Sequence, residues 1–179
     1  MSNLGVPQTV SPPAFNAHAD PERWINAVVA QTVAALEGEL AMRGRARLLV
    51  SGGSTPAPVY QALARQSLDW AKVEIALVDE RWLPIGDPDS NARLIEETLL
   101  VAQASVAKFT PIRMPGLDFA GAVLAANQSS SPATIALLGM GPDGHTASLF
   151  PNMHNLDQAL DSLAYYVGVD ADGCPGAGP

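Results

Sequence analysis

His145 stands in the stretch LLGMGPDGHTASLFP, residues 137–151, two positions after Asp143 and inside a cluster of glycines. An imidazole titrating near neutrality suits a general base, with an ordinary pKa of about 6.5. A carboxylate two residues away either orients that ring or binds a substrate hydroxyl. Gly139, Gly141 and Gly144 also match G-x-G-x-x-G behind an apolar run, which raises a dinucleotide-binding fingerprint. That fingerprint requires a long helix opening on the third glycine. Here Pro151 interrupts within about two turns, and too little chain follows to complete a dinucleotide domain. A short helix after His145 is expected instead, and the histidine becomes the chemical centre of the loop. Serine hydrolysis is disfavoured: Ser51 lacks the G-x-S-x-G context, and Ser148 sits in H-T-A-S without elbow glycines. His18 and His154 lie in polar surroundings and read as solvated bystanders.

Two further loops carry polar chemistry. In SGGSTP, residues 51–56, the glycines allow close backbone approach, and N–H groups at a following helix start suit an anion. The Gly-Lys-Ser/Thr ending of a Walker loop is absent, and the plain alternative is a tight turn with a helix cap. In DERW, residues 79–82, arginine suits bidentate contact with phosphate or carboxylate oxygens. Asp79 either acts on a substrate hydroxyl or holds a neighbouring loop; the plain alternative is a solvated charge cluster above a packed Trp82. Asp87 and Asp89 resemble a metal pair only superficially, lacking a third ligand.

These loops need elements to position them. Asp20-Pro21-Glu22 is a helix-start signal, and apolar residues from Trp24 to Leu40 recur at helical spacing, predicting a helix over 21–42 stopped at Gly44. Strands are expected at 47–51, 73–79 and 134–138, with further strands at 109–114 and 165–169. Helices are expected after Pro56, over 91–102 and over 118–127, with a turn at 129–132. Alternating strands and helices imply an α/β fold with a mostly parallel, helix-covered sheet. In such sheets ligands bind beyond the carboxyl ends of the strands. All three unusual loops fall there.

Bulk properties set outer limits. A length of 179 residues suits one domain, and an apolar fraction of 47% with 16% charged residues is ordinary for a globular chain. A formal charge of −8 argues against nucleic-acid binding. Cys174 is the single cysteine, excluding an intrachain disulfide and a cysteine-based zinc site. With no signal peptide or membrane-length apolar run, a cytoplasmic location is expected. A flexible lead-in is expected over 1–19, the domain over 20–170 and an irregular tail over 171–179.

The motifs SGGSTPAPVYQALA (51–64), DERWLP (79–84) with Ser90-Asn91, and LLGMGPDGHTASLFP (137–151) together resemble the 6-phosphogluconolactonases, in the wider glucosamine-6-phosphate isomerase/deaminase-like group. They follow the family's order and spacing. The resemblance implies a modified Rossmann-like sheet and hydrolysis of 6-phosphoglucono-1,5-lactone to 6-phosphogluconate. It implies no metal and no organic cofactor, with a sugar phosphate lactone as the partner and a monomer slightly favoured. By motif, His145 is the general base and Asp143 supports it or binds substrate. Gly52, Gly53, Ser54 and Thr55 line the sugar-phosphate site with Asp79, Arg81, Gly141 and Gly144. Deaminases of the group resemble D-E-Y where this chain has Asp79-Glu80-Arg81, and continue past the histidine toward an acid that this chain lacks.

Family members continue into an Arg-containing strand motif and a helix, whereas this sequence ends at VDADGCPGAGP. The ending reads as truncation, a frameshift or a gene-model error. An open sheet edge, an uncovered apolar face, poor stability and weak or absent lactonase activity are the expected consequences. The alternatives are a deaminase-like enzyme or a non-catalytic sugar-phosphate-binding fragment.

Overall fold

The computed structural model describes residues 13–171. Cys174 and the expected tail beyond Ala171 lie outside the described residues, as do the first twelve residues of the lead-in.

Local signals set the first helix. Helix α1 runs Pro21–Arg43, with Asp20 capping the Glu22 N–H at 2.9 Å and Gly44 closing it in the left-handed region at φ 70°. Strand β1 (Ala46–Val50) leads to α2 (Ala57–Leu63), and β2 (Val73–Leu77) leads to α3 (Asn91–Thr98). Strand β3 (Lys108–Thr110), α4 (Phe119–Ser129), β4 (Ile135–Leu137) and α5 (Leu156–Leu160) follow. The four strands form one sheet in the order β3-β2-β1-β4, every pair parallel.

Three expected elements differ. The helix expected over 91–102 ends at Thr98: the Leu99 and Leu100 N–H groups share the Ile95 carbonyl, and Val101 turns extended. A 3-10 turn at Ala102–Val106 takes its place. Strand β3 stops at Thr110 rather than Met114, because Pro111 offers no N–H to the ladder. Tyr165–Val169 is irregular rather than a strand. Its backbone finds a side chain instead: the Tyr166 N–H donates to Asn127 Oδ1 and the Asn127 amide donates to the Tyr166 carbonyl.

The two sheet faces are covered unequally. Leu48, Val50, Ile75 and Leu77 alternate toward Leu36, Tyr60, Ile95 and Leu99, all fully buried, and α1, α2 and α3 supply this cover. Arg47, Glu74 and Ala76 point the other way. There Arg47 and Ala76 meet Ala126 of α4 and Tyr166.

Topology then places a crevice. From β1 the chain passes through α2 to β2 and through α3 to β3, and α4 carries it back to β4 on β1's other side. Connections therefore diverge from between β1 and β4, the switch point where α/β sheets bind ligands. The 51–56 and 138–149 loops border it.

Candidate functional site

The β4 loop folds its histidine back on itself. The Gly141 N–H donates to the His145 carbonyl at 2.8 Å, and the Gly144 N–H donates to the Gly141 carbonyl at 3.0 Å. His145 Nδ1 lies 2.6 Å from Asp143 Oδ1, and the ring stacks on Phe150 at 4.4 Å between centroids. A Cβ at position 141 would strike that ring, and Gly144 turns at φ 88°, so both positions require glycine. The hydrogen bond to His145 holds the Asp143 carboxyl below the usual carboxylate range. An ionised Asp143 keeps the ring proton on Nδ1 and leaves Nε2 as the basic nitrogen. No helix follows. Thr146 and Leu149 form a tight antiparallel bridge, Ala147 adopts φ 51°, and the Thr146 hydroxyl donates to the Gly139 carbonyl at 2.9 Å. The short helix expected after His145 is therefore replaced by a turn pinned to its own strand.

The β2 loop is not a solvated charge cluster. Asp79 is half-buried, and Ser148 Oγ donates to its Oδ2 at 2.6 Å. Desolvation raises the Asp79 pKa, opposed by the Ser148 bond. The Asn91 amide donates to the Asp79 carbonyl at 2.9 Å. Glu80 accepts from the Ser90 hydroxyl and from the Asn91 and Ala92 N–H groups, so it closes the start of α3. Arg81 Nη1 donates to the Asp89 carbonyl at 3.0 Å. Asp87 Oδ1 accepts from the Asp89 N–H, which makes the pair a turn. Trp82 packs edge-on to Phe119 and beneath the Arg113 guanidinium.

The β1 loop is braced from below. Ser51 is buried, and its carbonyl accepts from the Tyr60 hydroxyl at 2.7 Å. Burial pushes that phenol up to about 12, so Tyr60 stays neutral. A Cβ on Gly52 would fall inside the Asn91 amide, so this glycine allows the β1 and β2 loops to meet. Gly53, Ser54 and Thr55 are exposed. Helix α2 begins only at Ala57, behind a turn and without a side-chain cap.

A cleft of about 510 Å³ gathers Asp79, Arg81, His145, Ser148 and Phe150 with Trp82 and Tyr166, a size suited to a small metabolite. Gly52, Gly53, Ser54, Thr55, Gly141, Asp143 and Gly144 are not in its lining. The structure thus joins the β2 and β4 loops in one cleft and leaves the β1 loop on its flank.

The family model for glucosamine-6-phosphate isomerases/6-phosphogluconolactonase matches residues 19–172. The chain belongs to this family. A 6-phosphogluconolactonase of Xylella fastidiosa is 50% identical over 162 residues, covering 89% of this chain and 67% of the relative. One of Pseudomonas putida is 40% identical over 164 residues, covering 88% and 67%. The solved structure of a 6-phosphogluconolactonase from Shewanella baltica superposes with a TM-score of 0.80 at 36% identity, covering 89% of this chain and 69% of that one. The chain spans about two thirds of the length of these relatives. The fold read from the sequence, a mostly parallel sheet flanked by helices, is the fold of the lactonase it superposes on.

Within this lactonase/isomerase fold, Asn91 and Ser148 escaped the sequence reading as site residues. Asn91 follows a helix-cap serine, which hides its contact with Gly52. Ser148 lies 69 residues from Asp79, and only tertiary structure pairs them. His18 and His154 are exposed, away from the cleft lining. Among the described residues no group of three or more His, Cys, Asp or Glu is placed to hold a metal, and no helix is long and apolar enough to cross a membrane.

Proposed function

We propose that the chain hydrolyses 6-phosphoglucono-1,5-lactone to 6-phosphogluconate, with His145 as the general base. The activity is the one named for relatives at 50% and 40% identity. The observation that carries the residue assignment is His145 lining a cleft of metabolite size with its Nδ1 held 2.6 Å from Asp143 behind it. With Nδ1 engaged by Asp143, Nε2 takes a proton from water as the oxygen attacks the lactone carbonyl. The resulting tetrahedral oxyanion collapses, the bond from the carbonyl carbon to the ring oxygen breaks, and the imidazolium returns its proton to the leaving ring oxygen. An activated ester needs no covalent nucleophile or bound cofactor for this sequence.

Arg81 brings a cation to the cleft, its guanidinium steadied on the Asp89 carbonyl, and suits an anionic substrate. The backbone around Gly52, Gly53, Ser54 and Thr55 borders the switch-point crevice on one side, and that around Gly141 and Gly144 on the other. Together they meet the part of the sugar phosphate that extends beyond the cleft lining.

The test is lactone opening corrected for the spontaneous rate. The parent chain accelerates opening, and His145→Ala removes roughly 10²–10⁴-fold of the enzymatic component. Unchanged turnover in that variant refutes the base assignment, and no acceleration by the parent chain refutes the reading. Glucosamine 6-phosphate, run alongside, is left unconverted.

A further inference from the structure

Ser148 and Asp79 lie on loops that the sheet does not make neighbours. In the order β3-β2-β1-β4, Asp79 follows β2 and Ser148 belongs to the β4 loop, with β1 between them. Neighbouring strands are spaced by about 4.8 Å, so the two loops start roughly 10 Å apart. Their 2.6 Å side-chain bond therefore bridges the carboxyl end of β1, where Ser51 is buried.

Among the described residues, the other hydrogen bonds of the β4 loop run within it or to the end of its own strand: Gly141 to His145, Gly144 to Gly141, Thr146 to Gly139. None of those bonds fixes where the loop sits relative to β2. The Ser148–Asp79 bond does, and both partners line the cleft with His145. Asp79 is itself anchored, since its carbonyl accepts from Asn91, a residue buried against Gly52. A hydroxyl on a half-buried carboxylate is a short, charge-assisted bond.

We propose that Ser148 is a positioning residue, whose hydroxyl ties the His145 loop to Asp79 across the end of β1 and so sets the imidazole against the substrate. It touches no reacting atom. The assignment rests on the lactonase reading, and it extends that reading to a residue whose effect on turnover runs through the placement of His145. Charged and titratable groups around Asp79 are Glu80 and Arg81 on its own loop, His145 from the β4 loop and Tyr60 from α2. Of these only Asp79 receives the Ser148 hydroxyl.

The experiment compares Ser148→Ala, Ser148→Thr and Asp79→Asn, alone and as a double-mutant cycle. Ser148→Ala is expected to lower kcat roughly tenfold with KM little changed. The Asp79 carboxyl titration moves upward in this variant, because the lost hydroxyl was holding its pKa down. Ser148→Thr keeps the hydroxyl and recovers most of the parent rate. In the Asp79→Asn background the same Ser148→Ala change costs much less, as expected for one coupled pair. The proposal is overturned by a parental kcat in Ser148→Ala, by Ser148→Thr as impaired as Ser148→Ala, or by costs that add independently. A parent chain with no lactonase activity sinks the functional reading instead. The Asp79 carboxyl titration followed by NMR then decides this proposal: an unmoved titration in Ser148→Ala, or one raised equally in Ser148→Thr, overturns it, and an upward shift confined to Ser148→Ala upholds it.

Discussion

One face of the sheet lies under α1, α2 and α3, with Leu36, Leu48, Ile75 and Leu77 at 0% exposure. The opposite face carries Arg47, Glu74 and Ala76 beneath α4 and a length of irregular chain. The first is a close-packed hydrocarbon interior, held by area removed from water. The second is held by particular polar bonds: Arg47 Nη1 to the Ser131 carbonyl at 2.9 Å, Asn127 to the Tyr166 backbone, and the Tyr166 hydroxyl to the Leu77 carbonyl. On α4, Ala122 and Ala126 face inward while Leu124 is 59% exposed. Stability and the cleft are thus separated by side. The packed face bears the fold, and the thinly covered face supplies Tyr166 and Phe119 to the cleft wall.

Substitutions can test that division. Ile75→Ala on the packed face is expected to cost the most, about 3–4 kcal/mol, because it removes a buried side chain from an interior that relaxes only partly; chemical denaturation measures it. A loss below about 1 kcal/mol would mean that the packed face is not where stability resides. Tyr166→Phe removes one hydroxyl donor from the thin face and is expected to cost about 1 kcal/mol, with lactonase activity lowered more than stability because Tyr166 lines the cleft. Leu124→Lys is expected to stay within about 0.5 kcal/mol, read by the same denaturation. A loss comparable to Ile75→Ala would show that α4 is covered in solution and that the two faces are alike.

The packed face was the legible part of the sequence. Asp20-Pro21-Glu22 and Gly44 bound α1 within a residue of the observed ends, because caps act through neighbours in the chain. The apolar runs of β1 and β2 were readable for the same reason, since burial on this face repeats with the strand period. Readings failed where distant residues decide. Asn127 satisfies the backbone of Tyr166 from 39 positions away, so an apolar stretch that looked like a strand has no ladder to join. At the site, the glycine loops, Asp79 and the Asp143–His145 pair were visible as motifs at strand ends. The turn after His145 was not, because it takes its shape from the Thr146 bond back to Gly139. Ser148 and Asn91 gave no local signal, since each acquires its partner only when the loops meet.

Arg47 has a consequence for the order of assembly. Its guanidinium holds the turn after α4, and the Thr134 hydroxyl caps its N–H, contacts that close loops of 84 and 87 residues. Loops of that length close later than the β1–α2–β2 unit, whose contacts are more local. Strand β4 is then the last to dock and, like β3, is paired on one side only among the described residues. His145 lies on the loop that follows this strand, so the docking of β4 is the step that brings its imidazole to the cleft.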